Sequence, residues 1–381
     1  MWRVIRRTIA AIAILMVVVP VALTLVISST WFKPKLNNIC SSFIEDGQII
    51  MDSISVSLLE ELPYLNIKLY NGALHSYAYF DVDSTHYHHL EDIPYQAHTP
   101  LSFKEFTVSL NIPQLLLGKI DIRRIRMIEP NIYAYISPWG KGNWDIFSEE
   151  KDDESEYDLN LSLKRLALLN GSATLHDGAN KSQYQANIGR MFTRGNITLD
   201  PDELEINRLR LTRSDFSLNT KKGGNWVKVN IDSLNITEEK AGDIYNIDLA
   251  SRTNLSMGKK VYTKGFPLNI CGTVGFDLSY PTSFDIDSTS ISIAGSPILF
   301  DGKLNFLEEK IFTNIHCAIS EFNVGKLISY LDKEAFPQFE GMSTNLKLSL
   351  DAQAVGRYES QSGLLPAISA RIKIPDGNFQ Y

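Results

Sequence analysis

The sequence predicts a mainly β protein, built of consecutive antiparallel strands behind a single membrane-spanning helix. Three observations carry this reading: an uncharged apolar run near the N-terminus, an apolar alternation of period two that recurs along the rest of the chain, and turn dipeptides set between the alternating segments. Helical periodicity is confined to short pieces.

The apolar run extends from Thr8 to Phe32 without a charged residue and exceeds the roughly 20 residues a helix needs to cross a bilayer. Arg3, Arg6 and Arg7 precede it, whereas Lys33 and Lys35 follow it. That asymmetry places residues 1–7 in the cytoplasm and the remainder outside it. The run is long for the apolar core of a signal peptide and no A-x-A-like site follows, so residues 8–32 read as an uncleaved anchor. Pro20 is compatible with a membrane helix, where neighbouring groups satisfy the freed carbonyl.

After a juxtamembrane connector around Pro34 and Gly47, extended structure takes over. Leu65, Ile67 and Leu69 alternate with Asn66, Lys68 and Tyr70, and Phe106, Val108 and Leu110 alternate with Thr107, Ser109 and Asn111. The same pattern marks Val227, Val229 and Ile231, then Val274, Phe276, Leu278 and Tyr280, then Leu346, Leu348 and Leu350. Asp177-Gly178, Gly223-Gly224-Asn225, Asp301-Gly302 and Asp376-Gly377 are expected to be turns. Phe322 to Asp332 is the best helical candidate outside the anchor, and Pro113 to Leu117 a single short turn. The acidic run Glu149 to Glu154 reads as a solvated loop between a membrane-proximal β segment, 33–148, and a continuing β region, 155–381.

Composition narrows the function classes. With 44% hydrophobic and 21% charged residues the chain is of a folding kind, and a formal charge of -7 without a basic stripe argues against nucleic acid as a partner. Cys40, Cys271 and Cys317 are too widely spaced for a disulfide framework or a zinc site. His75, His86, His88, His89 and His98 fall close together, yet no cysteine or tightly spaced acid completes a ligand set, so a solvated loop is expected and no metal. Asp152, Asp153, Asp285 and Asp287 read as solubilising carboxylates. No nucleotide-binding, hydrolase or zinc-protease motif is present, so no catalytic residue and no cofactor are assigned.

An alternating strand must bury its apolar face against a second sheet, helices or lipid acyl chains, and helices are too few here. On the residues alone a closed sandwich is favoured, being the commoner architecture.

Phe106 to Phe147 adds a more specific signal: a strand, the Leu115 to Gly118 turn, a second strand from Ile120 to Ile128, Glu129-Pro130, then Gly140-Lys141-Gly142-Asn143-Trp144. This order and spacing resembles the start of AsmA-family envelope proteins. Ile54 to Leu74 is similar to the family's opening strand pair. Leu161 to Asp177 is similar to its "strand, Asn-Gly, strand, Asp" unit, and Ile291 to Phe306 and Ala370 to Tyr381 look like later units. The resemblance implies an elongated, groove-like antiparallel sheet of repeated strands, related to bridge-like lipid transfer proteins. It also implies an inner-membrane protein with its bulk in the periplasm, acting in envelope biogenesis by moving phospholipid between inner and outer membranes. Val227, Val229, Ile231, Val274, Phe276, Leu278, Tyr280, Leu346, Leu348 and Leu350 are then the candidate groove lining. The membrane, a phospholipid cargo and an envelope or outer-membrane protein are the expected partners. The alternative is a membrane-tethered β-sandwich scaffold for outer-membrane protein assembly. The family carries no individually essential residue to transfer, and the chain stops at Tyr381 inside a repeat-like segment where many relatives continue.

Overall fold

The computed structural model describes residues 46–57, 64–77, 93–116, 119–146, 158–160, 163–180, 182–197, 205–220, 225–239, 244–257, 260–276, 282–307, 310–359, 362–375 and 377–380. The predicted anchor, His86, His88, His89 and the acidic run lie outside them. Among the described residues no helix is long and apolar enough to cross a membrane. The chain divides into two units, the first ending at Asn180 and the second beginning at Lys181. Both are mainly β.

Unit 1 contains β1 (Gly47–Ile50), β2 (Ser53–Ser57), β3 (Tyr64–Ser76), β4 (Leu101–Asn111), the short helix α1 (Ile112–Leu116), β5 (Lys119–Ile128), β6 (Asn131–Ile136), β7 (Asp158–Asn160) and β8 (Leu163–Asp177). β1 and β2 both pair antiparallel with β3, which pairs antiparallel with β4, and β4 pairs antiparallel with β5 and β6. The alternation read from the sequence builds the core here. Val56, Leu65, Ile67 and Leu110 are buried together, with Ile54, Leu69 and Val108 packed against them. Sheet order departs from expectation in one respect: β8 runs parallel to β5 over Arg165–Leu169 and then parallel to β6 over Ser172–Asp177, so the sheet is mixed.

β8 also corrects the reading of Asn170-Gly171 as a break between two strands. It is one strand of 15 residues, and Asn170 is a kink with φ 52°. The kink stands where β5 gives way to β6 through Glu129, φ 50°, and the buried Pro130. A Cβ on Gly171 would lie 2.6 Å from the Pro130 ring, so only glycine lets the strands approach. Asn71, φ 47°, kinks β3 in the same manner.

Unit 2 is an antiparallel meander: β9 (Ser182–Ile197), β10 (Glu205–Thr220), β11 (Asn225–Glu238), β12 (Ile244–Met257), β13 (Lys260–Phe276), β14 (Ser283–Ile293), β15 (Ser296–Leu307) and β16 (Lys310–Asn323). Each pairs with the next along the chain. The helix α2 (Val324–Ser329) and the two-residue β17 (Ser343–Thr344) follow, then β18 (Lys347–Glu359) beside β16 and β19 (Ala367–Lys373) beside β18. β20 (Phe379–Gln380) pairs with β17. The helix predicted from Phe322 to Asp332 is thus shorter at both ends: Asn323 is its N-cap, accepting from Lys326 N at 2.9 Å, and Phe322 belongs to β16. Asp301-Gly302 is not a turn. It lies inside β15, whose hairpin with β14 is closed instead by Ala294-Gly295, both at positive φ.

Candidate functional site

The pairing register of unit 2 carries each apolar residue to an apolar neighbour on the next strand. Met191 stands opposite Leu211, Leu211 opposite Leu234, and Leu234 opposite Leu249. Leu249 faces Ile270, Ile270 faces Ile291, and Ile291 faces Ile298, so one row crosses seven strands. A second row starts at Tyr245, passes through Val274 and Ile286 and reaches Ile315 by way of Gly302. It ends at Ala354 and Ile368. Because side chains alternate between faces, these rows lie on one side of the sheet.

The reverse side carries ion pairs, and Phe192, Leu299, Phe312 and Val355 also stand exposed on it. Lys228 meets Asp215 at 3.4 Å, Arg252 meets Asp232 at 2.7 Å, and Lys303 meets Asp285 at 2.7 Å. All are solvent-facing, which agrees with reading Asp285 as solubilising.

The predicted groove residues fall as follows. Val227 lies opposite Leu218 in β10, and Val229 and Ile231 share the apolar face with Phe216 and Ser214. Val274 is central to the second row. Leu348 faces Phe322, and Leu350 lies between Ile319 and Ile372. Leu346 precedes β18 and packs beside Gly377. Phe276 is the last residue of β13, opposite Phe284, and Leu278 and Tyr280 lie outside the described residues.

Sequence reading missed Leu209, Leu211 and the isoleucines of β14, because bulges change the parity of the alternation within a strand. The backbone turns out of the pleat at Arg213, φ 50°, in β10 without a shift of register, whereas the register shifts at Asp232 in β11 and at Ser288, φ 46°, in β14. A period of two broken once in its middle looks irregular in sequence, although both halves face the same way.

This face is not sealed. Its buried apolar residues are scattered: Leu211, Ile231, Tyr245, Ile298 and Ile319 come from five different strands. Phe216, Phe306 and Tyr358 remain 39%, 39% and 38% exposed, and Ile368 and Ile372 69% and 62%. Among the described residues, the strands of unit 2 contact their sheet neighbours rather than a second layer.

A partial cover is the excursion between β16 and β18. It returns to β13, where Tyr330 meets Phe266 edge-on at 5.8 Å and Phe336 meets Tyr262 at 5.8 Å. Asp332 N donates to Tyr262 O at 2.9 Å, and the Asp332 carboxylate takes Lys264 Nζ at 2.8 Å. The hydrogen bond from Lys264 holds that carboxyl below its ordinary range. Cys317 sits on the apolar face opposite Phe300, and burial pushes its thiol above the ordinary value, away from reactivity.

In unit 1 the Gly-Asn-Trp loop is structural. Asn143 is fully buried; its amide donates to Ala97 O at 2.9 Å and Tyr133 O at 2.8 Å, and its oxygen accepts from Tyr135 N at 2.9 Å. His75 approaches Thr99 Oγ1 at 3.2 Å, and Tyr133 Oη approaches His176 Nδ1 at 3.0 Å. Among the described residues no three His, Cys, Asp or Glu side chains converge as metal ligands.

No protein-family model matches the chain, and no curated protein or solved structure is significantly similar to it.

Proposed function

We propose that the chain is an AsmA-like, inner-membrane-anchored protein whose exported β part guides phospholipid across the periplasm on the apolar face of unit 2. The observation that carries this reading is the open face itself: apolar rows run from strand to strand, backed by an ion-paired reverse side and, among the described residues, without a second layer. In water such a face is a cost that folding does not recover, so a ligand of matching chemistry is the simplest compensation. Acyl chains supply it, since each methylene withdrawn from water contributes about 0.8 kcal/mol. Rows that cross several strands offer a continuous path, which suits a chain-like ligand better than a compact one. Movement along such a path breaks no covalent bond, in keeping with a sequence that carries no nucleophile, acid and base set.

Val274→Asp tests the reading, because it places a carboxylate in the middle of the second row. With the face open to solvent or lipid, the change costs about 1–2 kcal/mol of stability while lipid co-purifying with the full chain falls sharply. A folded variant that retains its full lipid content overturns the lipid path. Outright unfolding overturns the open face, because a sealed core would lose several kcal/mol to an unpaired carboxylate.

A further inference from the structure

The exposed aromatic residues described in unit 1 are not scattered. Among its described residues, the large apolar side chains left most exposed are Ile50, Tyr77, Tyr95 and Trp144, at 49%, 50%, 85% and 42%. Contacts place all four at one end of the unit, the end at which the chain arrives from its N-terminal segment. Asp46 O accepts from Tyr77 N at 2.7 Å, and Gly47 and Ile50 lie opposite Ser76 and Ala73 of β3. Next to Ser76, His75 touches Thr99 Oγ1 at 3.2 Å, which sets the 3-10 turn Tyr95–His98 against the same strand end. Asn143 Nδ2 then ties Ala97 O to the loop that carries Trp144.

We propose that this end docks on the surface of the lipid bilayer, with Tyr77, Tyr95 and Trp144 at headgroup level. The inference rests on reading residues 8–32 as a membrane anchor. Tyrosine and tryptophan suit the interface because one part of the ring system is apolar and the other hydrogen-bonds. A single exposed aromatic is ordinary on a soluble surface, whereas a cluster confined to the tethered end requires a partner there. Residues 33–45 between run and unit number thirteen and reach at most about 45 Å, which keeps the bilayer close and makes weak contacts effective.

The display is rigid. The Trp144 ring lies over Gly142, where an added Cβ would come within 2.5 Å of it. Ser137 Oγ accepts from Lys141 N at 2.9 Å and Asp145 from Gly142 N at 2.8 Å, so the loop loses little freedom on docking. Lys141 is exposed beside it and adds a cation at the level of lipid phosphates.

Photoreactive benzoylphenylalanine introduced at Tyr95, Trp144 or, as a control, Ser55 tests this in the full chain, reconstituted in vesicles of phosphatidylethanolamine and phosphatidylglycerol. Ser55 is exposed and stands opposite Lys68, about 26 Å along β3 from Ser76. Lipid adducts at positions 95 and 144 and none at 55 are expected. Absence of lipid adducts at 95 and 144, adducts to a second protein chain instead, or equal labelling at 55 overturns the docking, provided the chain resists alkaline carbonate extraction. A chain that carbonate removes overturns the anchor reading, and the docking with it.

Discussion

Gly302 shows how a single residue sets the local course of a strand in unit 2. It occupies the middle of β15 at φ 134°, and a Cβ there would stand 2.0 Å from Asn314 O of the neighbouring strand. Neither the backbone conformation nor the space admits a side chain. Gly302→Ala should therefore destabilise by about 2–4 kcal/mol, read as a lowered denaturant midpoint of the full chain. Asn143 works in the opposite sense, supplying a polar group where the fold needs one: three backbone partners converge on it inside unit 1. The sequence showed the Gly-Asn-Trp run plainly, yet nothing in it distinguished a buried clamp from an exposed contact, because that depends on the β6 and 3-10 backbone brought around it.

At the scale of elements, the kinks decide how far alternation can be read. A strand that holds one parity, such as β3 from Leu65 to Leu69, is legible directly. One with an inserted residue, such as β14 at Ser288, is not, since the bulge shifts all later residues by one. Left-handed asparagine is tolerated at such kinks and β-branched residues are not. Asn170→Val should lower stability by about 1–2 kcal/mol, whereas Asn170→Gly should stay within about 0.5 kcal/mol of the parent, as judged by chemical denaturation.

The 3-10 turn Tyr95–His98 supplies a pH-dependent prediction. Burial, and secondarily the neighbouring His75, hold the His98 imidazole below its ordinary value of 6.5. The folded state thus binds fewer protons than the unfolded one, so stability from this group is present above 6.5 and declines as pH falls through that value and below. Amide exchange over residues 95–99 should accelerate at pH 5.5 relative to pH 7.5 beyond the intrinsic change in chemistry. Unchanged protection would show that the turn does not sense His98.

For the molecule as a whole, the proposed lipid path assigns the two faces of the unit 2 sheet different duties. Lys303→Ala removes the exposed Lys303 to Asp285 pair on the reverse side, where surface ion pairs contribute about 0–1 kcal/mol. Lipid co-purification should be unaffected, in contrast to Val274→Asp on the other side. Equal loss from both variants would mean that lipid retention reports general stability and not the apolar path.

From the amino-acid order alone follow the mainly β class and the apolar and polar faces of Val227 to Ile231 and of Leu348 to Leu350, because period-two alternation is a local property of extended chains. The mixed pairing of β8, the passage of β15 through Asp301-Gly302 and the joining of separate apolar triplets into rows over seven strands were settled only in three dimensions. Register is a relation between segments far apart in sequence, and a one-residue bulge reverses which side chains share a face. Whether an apolar face is covered depends likewise on what the rest of the chain places over it, and among the described residues the excursion after β16 reaches only part of the face.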